Sequence, residues 1–313
     1  MLQCGENYGA LMENKPSLFQ IWLLAIRPKT LPAAASGVVM GSALAWMDGS
    51  FRLLPALAAL CVALLLQIAS NVANDVFDFE RGTDTDERQG PLRVTQARLL
   101  TPAQVKRGLL VILGLAAAFG LYLAFVRGWA VVWIGLAAIV SAIAYTGGPF
   151  PLGYYGLGDL FVFIFFGLAA VAGTYFVQVG SVSPAAWWMS VPVGLIITAI
   201  LVVNNLRDIE NDRKGKKHTL AVRLGVRGTR TEYLLCLVGA YLIIPLAAWL
   251  GLVPWLALLT WLSLPLAIKT ARTVFTQAGR PLNAALAGTG QLALSFSLLF
   301  WIGLIFYSIL RIR

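Results

Sequence analysis

The sequence predicts an all-α, polytopic membrane protein: about nine transmembrane helices in a duplicated helical bundle around a central cavity. Three observations predict it. Of the 313 residues, 59% are hydrophobic and 12% are charged, where a soluble domain carries roughly 25% charged residues. Apolar stretches of membrane-spanning length recur along the whole chain. An acidic pattern occurs twice, 130 residues apart, with four apolar stretches between the copies.

A spanning helix needs about 20 predominantly apolar residues. Nine stretches qualify, near 30–47, 53–73, 108–126, 129–147, 157–177, 185–204, 233–250, 252–270 and 287–309. The Gly/Pro-rich run Gly147-Gly148-Pro149-Phe150-Pro151 joins the fourth to the fifth, and a short turn near Gly251 joins the seventh to the eighth. A single membrane domain over 1–313 is expected, with related halves at about 20–147 and 157–270 and a last helix at about 287–309. The first twenty residues lack a basic segment leading directly into an apolar one, so no cleavable signal is expected.

Basic residues orient the chain, because loops on the cytoplasmic side carry the excess of Lys and Arg. With a cytoplasmic N-terminus, 20 of the 24 Lys and Arg fall on the cytoplasmic face. The net charge of +10 therefore lies in membrane loops and does not signal a nucleic-acid partner. Three scattered cysteines and a single histidine, His218, exclude thiolate or imidazole metal centres and a Ser-His-Asp triad.

The 14 acidic residues are unevenly placed. Six fall between Asp75 and Glu87, and three more are Asp208, Glu210 and Asp212. The first window reads Asn74-Asp75-Val76-Phe77-Asp78-Phe79-Glu80 and the second Asn204-Asn205-Leu206-Arg207-Asp208-Ile209-Glu210. Residues four apart share a helix face, so Asn74 and Asp78 form one row, and Asn204, Asp208 and Asp212 another. Carboxylates stacked this way repel, and the cost grows beside a membrane, so a cation is expected between them. Oxygen-only ligands suit a hard ion, and Mg²⁺ is held by one or two carboxylates plus substrate phosphates. Two acidic rows among Lys and Arg, which bind phosphate oxygens, describe a metal–diphosphate clamp. The bland alternative is a pair of solvated loops balancing nearby cations; the repetition of the pattern argues against it.

These residues resemble the two aspartate motifs of the UbiA-type intramembrane aromatic prenyltransferases. Further matching stretches are Arg27-Pro28-Lys29-Thr30-Leu31-Pro32, Arg88-Gln89-Gly90-Pro91-Leu92-Arg93, Tyr145-Thr146-Gly147-Gly148-Pro149 through Gly156-Leu157-Gly158-Asp159, and Thr219-Leu220-Ala221-Val222-Arg223-Leu224-Gly225. Together they resemble the naphthoate branch. The resemblance implies a central cavity opening to the cytoplasmic side and to lipid, in a bacterial cytoplasmic membrane. It implies Mg²⁺, a polyprenyl diphosphate donor and 1,4-dihydroxy-2-naphthoate as acceptor, giving demethylmenaquinone with release of diphosphate and CO₂.

Under that resemblance Asp78, Asp208 and Asp212 hold the metal, helped by Asn74, Asp75 and Asn204. Many relatives have a third Asp where this chain has Gly82, and Asp84 stands close enough to substitute. Lys29, Arg88, Arg93 and Lys217 are the candidate diphosphate partners. Tyr145 is placed to steady an allylic cation through its ring face, with plain bundle packing as its ordinary role. Asp159, at the start of a helix, is read as favouring the helix dipole.

Rival readings are the same family with a phytyl donor, or with 4-hydroxybenzoate, homogentisate, a haem precursor or a chlorophyll precursor as acceptor. A secondary transporter would place its site near the bilayer midplane, whereas these carboxylates sit at helix ends on one side. A membrane phosphotransferase would keep its acids in one motif.

Overall fold

The computed structural model describes residues 16–82, 89–148 and 151–311, and among them every regular element is helical. A short helix α1 (Leu18–Ile26) leads through a 3₁₀ turn (Pro28–Thr30) into α2 (Leu31–Met47). Then follow α3 (Leu53–Glu80), α4 (Pro102–Arg127), α5 (Trp129–Ala144) and α6 (Gly158–Val179), the last interrupted by a π-helical turn at Phe163–Ala169. The chain continues through α7 (Pro184–Lys214), α8 (Leu220–Trp249), a 3₁₀ segment (Trp255–Ser263), α9 (Leu264–Thr276) and α10 (Leu282–Arg311).

Seven of these segments are long and apolar enough to cross a membrane, counting α1 and α2 as one. The chain is a multi-pass membrane protein. The fourth stretch, α5, is shorter, at 16 residues. The eighth differs from the single helix expected over 252–270, because Pro265 sits at the start of α9. A proline inside a helix lacks the amide for the ladder and collides with the preceding turn. The apolar run therefore winds as a 3₁₀ segment up to that proline and as an α-helix after it.

Local chemistry sets the ends. Ser17 and Thr101 each make a full capping box with a glutamine three residues on, satisfying amides that the first helical turn leaves open. Gly128 and Gly180 stop α4 and α6 at positive φ, where a side chain is disfavoured. The centre of the bundle is α7: 67% of its most apolar stretch is buried, against 17% for α4. Around it α2, α6, α8 and α10 close a core that includes Met40, Met189, Ile196, Tyr233 and Phe296. A Cβ at Gly167 would stand 2.7 Å from Gly194 Cα, so α6 and α7 cross backbone to backbone. Small residues permit this close packing of membrane helices.

Two boundaries matter for function. α7 runs ten residues beyond the expected end at 204, and α3 seven beyond 73, so both acidic windows are helical. α8 begins at Leu220 rather than near 233, with a bend at Gly225 (φ 69°, ψ 177°). Arg223, Arg227 and Arg230, expected in a loop, lie on its first turns. Arg230 donates to the carbonyls of Val274 and Gln277, tying α8 to the end of α9.

Candidate active site at the motif end of the bundle

The last two turns of α3 carry the first motif. Asn74 and Asp78 point from one face into a cavity of about 410 Å³. Asp78 is buried, at 3% exposure. Its Oδ1 accepts a hydrogen bond from the Tyr154 hydroxyl at 2.7 Å, and its Oδ2 pairs with Arg93 Nη2 at 2.5 Å. Arg93 also donates to the carbonyl oxygen of Asn74. The Asn74 side-chain oxygen accepts from the Thr146 hydroxyl at 2.9 Å. The carboxylate is thus held by two separate stretches of chain, and a third holds the Asn74 side chain beside it, before any ligand arrives.

The second row lies on the last turns of α7. Arg207, buried inside the bundle, donates to Asn204 Oδ1 at 2.8 Å and pairs with Asp208 at 2.5 Å. Its remaining arm reaches Asn283 Oδ1 at 2.7 Å on α10. Asn283 in turn donates to the carbonyl of Gln89 at 3.0 Å. One guanidinium therefore fixes two members of the row and ties it to α10.

Asn74, Asp78, Asn204, Asp208 and Asp212 all line the same cavity, together with Tyr145, Lys29, Arg93 and Lys217. Lys217 Nζ stands 3.7 Å from Asp78 Oδ1 and 3.8 Å from Asp212 Oδ1. An ammonium group bridges carboxylates contributed by the two windows. Its position marks where positive charge is stabilised between them. Among the described residues no three His, Cys, Asp or Glu side chains converge into a metal cage, and neither His nor Cys lines the cavity. Oxygen donors split between two helices suit a hard divalent ion that takes its other ligands from a bound phosphate.

One expectation is corrected. Asp75 does not line the cavity. Its two oxygens accept the backbone amides of Val94 and Thr95, each at 2.9 Å, and it is 1% exposed. Successive helical residues are about 100° apart, so Asp75 points away from the Asn74–Asp78 face and anchors the turns that present Arg93. Asp84 and Arg88 lie outside the described residues.

Tyr154, Thr146 and Arg207 carry no local sequence pattern of their own that marks them as site residues. Tyr154 touches Asp78 and also lies under Lys217, whose Nζ is 4.5 Å from its ring centre. It sits inside the Tyr145-to-Asp159 stretch, between two glycine-rich turns, which was the available signal. Arg207 lies past the expected helix end at 204, where its sequence context presents it as only one more basic residue. Tyr145 is packed between Gly153 and Gly158, where a Cβ would come within 3.0 Å of its ring or hydroxyl.

Below the polar end the cavity continues between apolar walls, including Val38, Ala59, Leu123, Ile134 and Phe165. Fold and site together define a multi-pass membrane protein shaped for a molecule with an anionic head and a long apolar body.

The model of the UbiA prenyltransferase family matches residues 34–280. The chain is 39% identical to the 1,4-dihydroxy-2-naphthoate octaprenyltransferase of Escherichia coli (strain K12), covering 94% of this chain and 98% of that one. It is 40% identical to the enzyme of the same name from Mycobacterium tuberculosis, covering 90% and 95%. In fold it matches a UbiA homolog from Archaeoglobus fulgidus bound to GPP and Mg²⁺, with a TM-score of 0.64 at 13% identity over 91% of this chain and 99% of that one. This chain belongs to the UbiA prenyltransferase family.

Proposed function

We propose that this protein transfers a polyprenyl group from polyprenyl diphosphate to 1,4-dihydroxy-2-naphthoate, with loss of the acceptor's carboxylate as CO₂. The product is the reduced form of demethylmenaquinone. The observation that carries the reading is the bridging of Asp78 and Asp212 by one cation at the head of an apolar cavity. The names of relatives that match this chain over nearly its whole length supply the acceptor.

In this reading Asp78, Asp208 and Asp212, with Asn74 and Asn204, hold Mg²⁺ and the diphosphate. Bound Mg²⁺ supplies Lewis-acid stabilisation of the leaving group. Lys217, released from the carboxylates, and Arg93 and Lys29 donate to the phosphate oxygens as the allylic C–O bond breaks. Tyr154 keeps Asp78 oriented. The Tyr145 ring, held between Gly153 and Gly158, faces the reacting carbon and steadies its positive charge. The apolar walls exclude water that would capture the cation before the naphthalenoid ring attacks. Asp75 is left out of the ligand set.

The same reading places the chain as one membrane domain of two related halves, in a bacterial cytoplasmic membrane, with its N-terminus and the motif end toward the cytoplasm. The bias of Lys and Arg toward the motif end supports that orientation. The test is incubation of the purified protein and Mg²⁺ with 1,4-dihydroxy-2-naphthoate or 4-hydroxybenzoate and several prenyl diphosphates, followed by mass spectrometry of the lipid. A prenylated, decarboxylated naphthalenediol is expected. Prenylated 4-hydroxybenzoate alone, or flux across proteoliposomes with no prenylated product, refutes it.

A further inference from the structure

Glycine is the poorest helix former after proline, so a helical glycine calls for a local reason. Several here have one: Gly167 and Gly194 permit a close helix crossing, and Gly128 and Gly180 end helices at positive φ. Gly120, Gly135 and Gly173 have neither reason. Each lies inside a helix, on α4, α5 and α6 in turn, and a Cβ built on any of them meets nothing within 4 Å. All three line the cavity. The open space beside them is cavity space.

Their depth is also common. Gly120 is seven residues from the end of α4 at Arg127, Gly135 six from the start of α5 at Trp129, and Gly173 six from the end of α6 at Val179. At the rise of an α-helix each is about 9–11 Å inside the end of the bundle opposite the motifs. Ala59 occupies the matching level on α3, six residues from Leu53, and it too lines the cavity. Ala59 and Asp78 are 19 residues apart on α3, or about 28 Å, close to the roughly 30 Å of bilayer hydrocarbon. The small-residue level lies at the far end of the cavity from the acidic rows.

We propose that Gly120, Gly135 and Gly173 keep open the terminal part of the slot that takes the donor's isoprenoid tail, and so set the longest tail the protein accepts. The inference rests on the prenyl-transfer reading above. A side chain at any of the three would project into the slot far from the diphosphate site. It would obstruct a long tail and leave a short one untouched.

The experiment compares geranyl diphosphate with octaprenyl diphosphate as donors for the full-length protein and its Gly120→Leu, Gly135→Leu and Gly173→Leu variants. Gly114→Leu is the control, since Gly114 on α4 also has open space but is exposed and does not line the cavity. The ratio of kcat/KM for the long donor to that for the short donor should fall by about tenfold or more in the slot variants. It should stay at the wild-type value in the control. Turnover of geranyl diphosphate certifies that each variant is folded. Where a leucine variant does not fold, the alanine variant at that position carries the same comparison with a smaller fall. An unchanged ratio in the slot variants, or an equal fall in the control, overturns the proposal. A wild type that prenylates nothing counts against the prenyl-transfer reading instead, and binding of labelled long and short donors then reads the slot.

Discussion

Asp75 stands one residue from a row of candidate metal ligands, yet its geometry assigns it a different task, and the two roles separate under mutation. Asp75→Ala removes the acceptor of two buried amides, those of Val94 and Thr95. Each unsatisfied buried donor costs about 1–3 kcal/mol, so the variant should lose about 2–6 kcal/mol. At roughly 2 °C per kcal/mol for a chain of this size, the midpoint of thermal unfolding should fall by about 4–12 °C. Asp75→Asn keeps one acceptor oxygen and turns an NH₂ group toward the other amide, so its fall should be about half as large. The assay is thermal unfolding in detergent or nanodiscs, paired with Mg²⁺ titration of the surviving transferase activity at low temperature. The expected result is reduced stability with an unshifted Mg²⁺ requirement. If Asp75→Asn kept the wild-type midpoint and raised the Mg²⁺ requirement, the anchoring role would be wrong and Asp75 would join the metal ligands.

Other outcomes follow from the same geometry. Asp208→Asn and Asp78→Asn should abolish prenyl transfer while the protein still inserts, read by mass spectrometry of the product alongside size-exclusion chromatography; EDTA should silence the wild type and added Mg²⁺ restore it. Lys217→Met should lower kcat/KM for the donor by about 10–100-fold, the value of a charged hydrogen bond, with near-normal stability because the lysine contacts both carboxylates only at longer range. Tyr154→Phe deletes the hydroxyl that orients Asp78 and should cost about 1 kcal/mol, a several-fold loss of activity. Gly167→Ala forces a methyl against the backbone of α7 and should destabilise the bundle by about 1–3 kcal/mol, seen as a lower unfolding midpoint.

Much of this was readable from residue types alone. Every apolar stretch proved helical, and the four-residue spacing that joins Asn74 to Asp78 and Asn204 to Asp208 and Asp212 puts them on one cavity. The same spacing rule already turned Asp75 off the row, but its true partners are amides some twenty residues later, and nothing local announces them. Hydropathy ended α7 at the first polar residues because it scores side chains singly. Arg207 supplies what that scoring omits, pairing with Asp208 and Asn204 so that polar groups can continue a buried helix. Tyr154 escaped notice for a related reason. Its importance comes from a contact with a residue 76 positions away, which no pattern within its own turn encodes.

The π-helical turn at Phe163–Ala169 has a bearing on how such a cavity could be reshaped. A turn of this kind accommodates one residue more than an α-helical turn does. Removing a single residue there would let α6 wind regularly while the residues after it keep their present facing, because the turn already absorbs one residue's roughly 100° of rotation. Gly173 and Val177, which line the cavity, would keep their places on its wall. The same deletion just past Ala169, in the regular helix, has no such turn to absorb it and would rotate the strip that follows by about 100°.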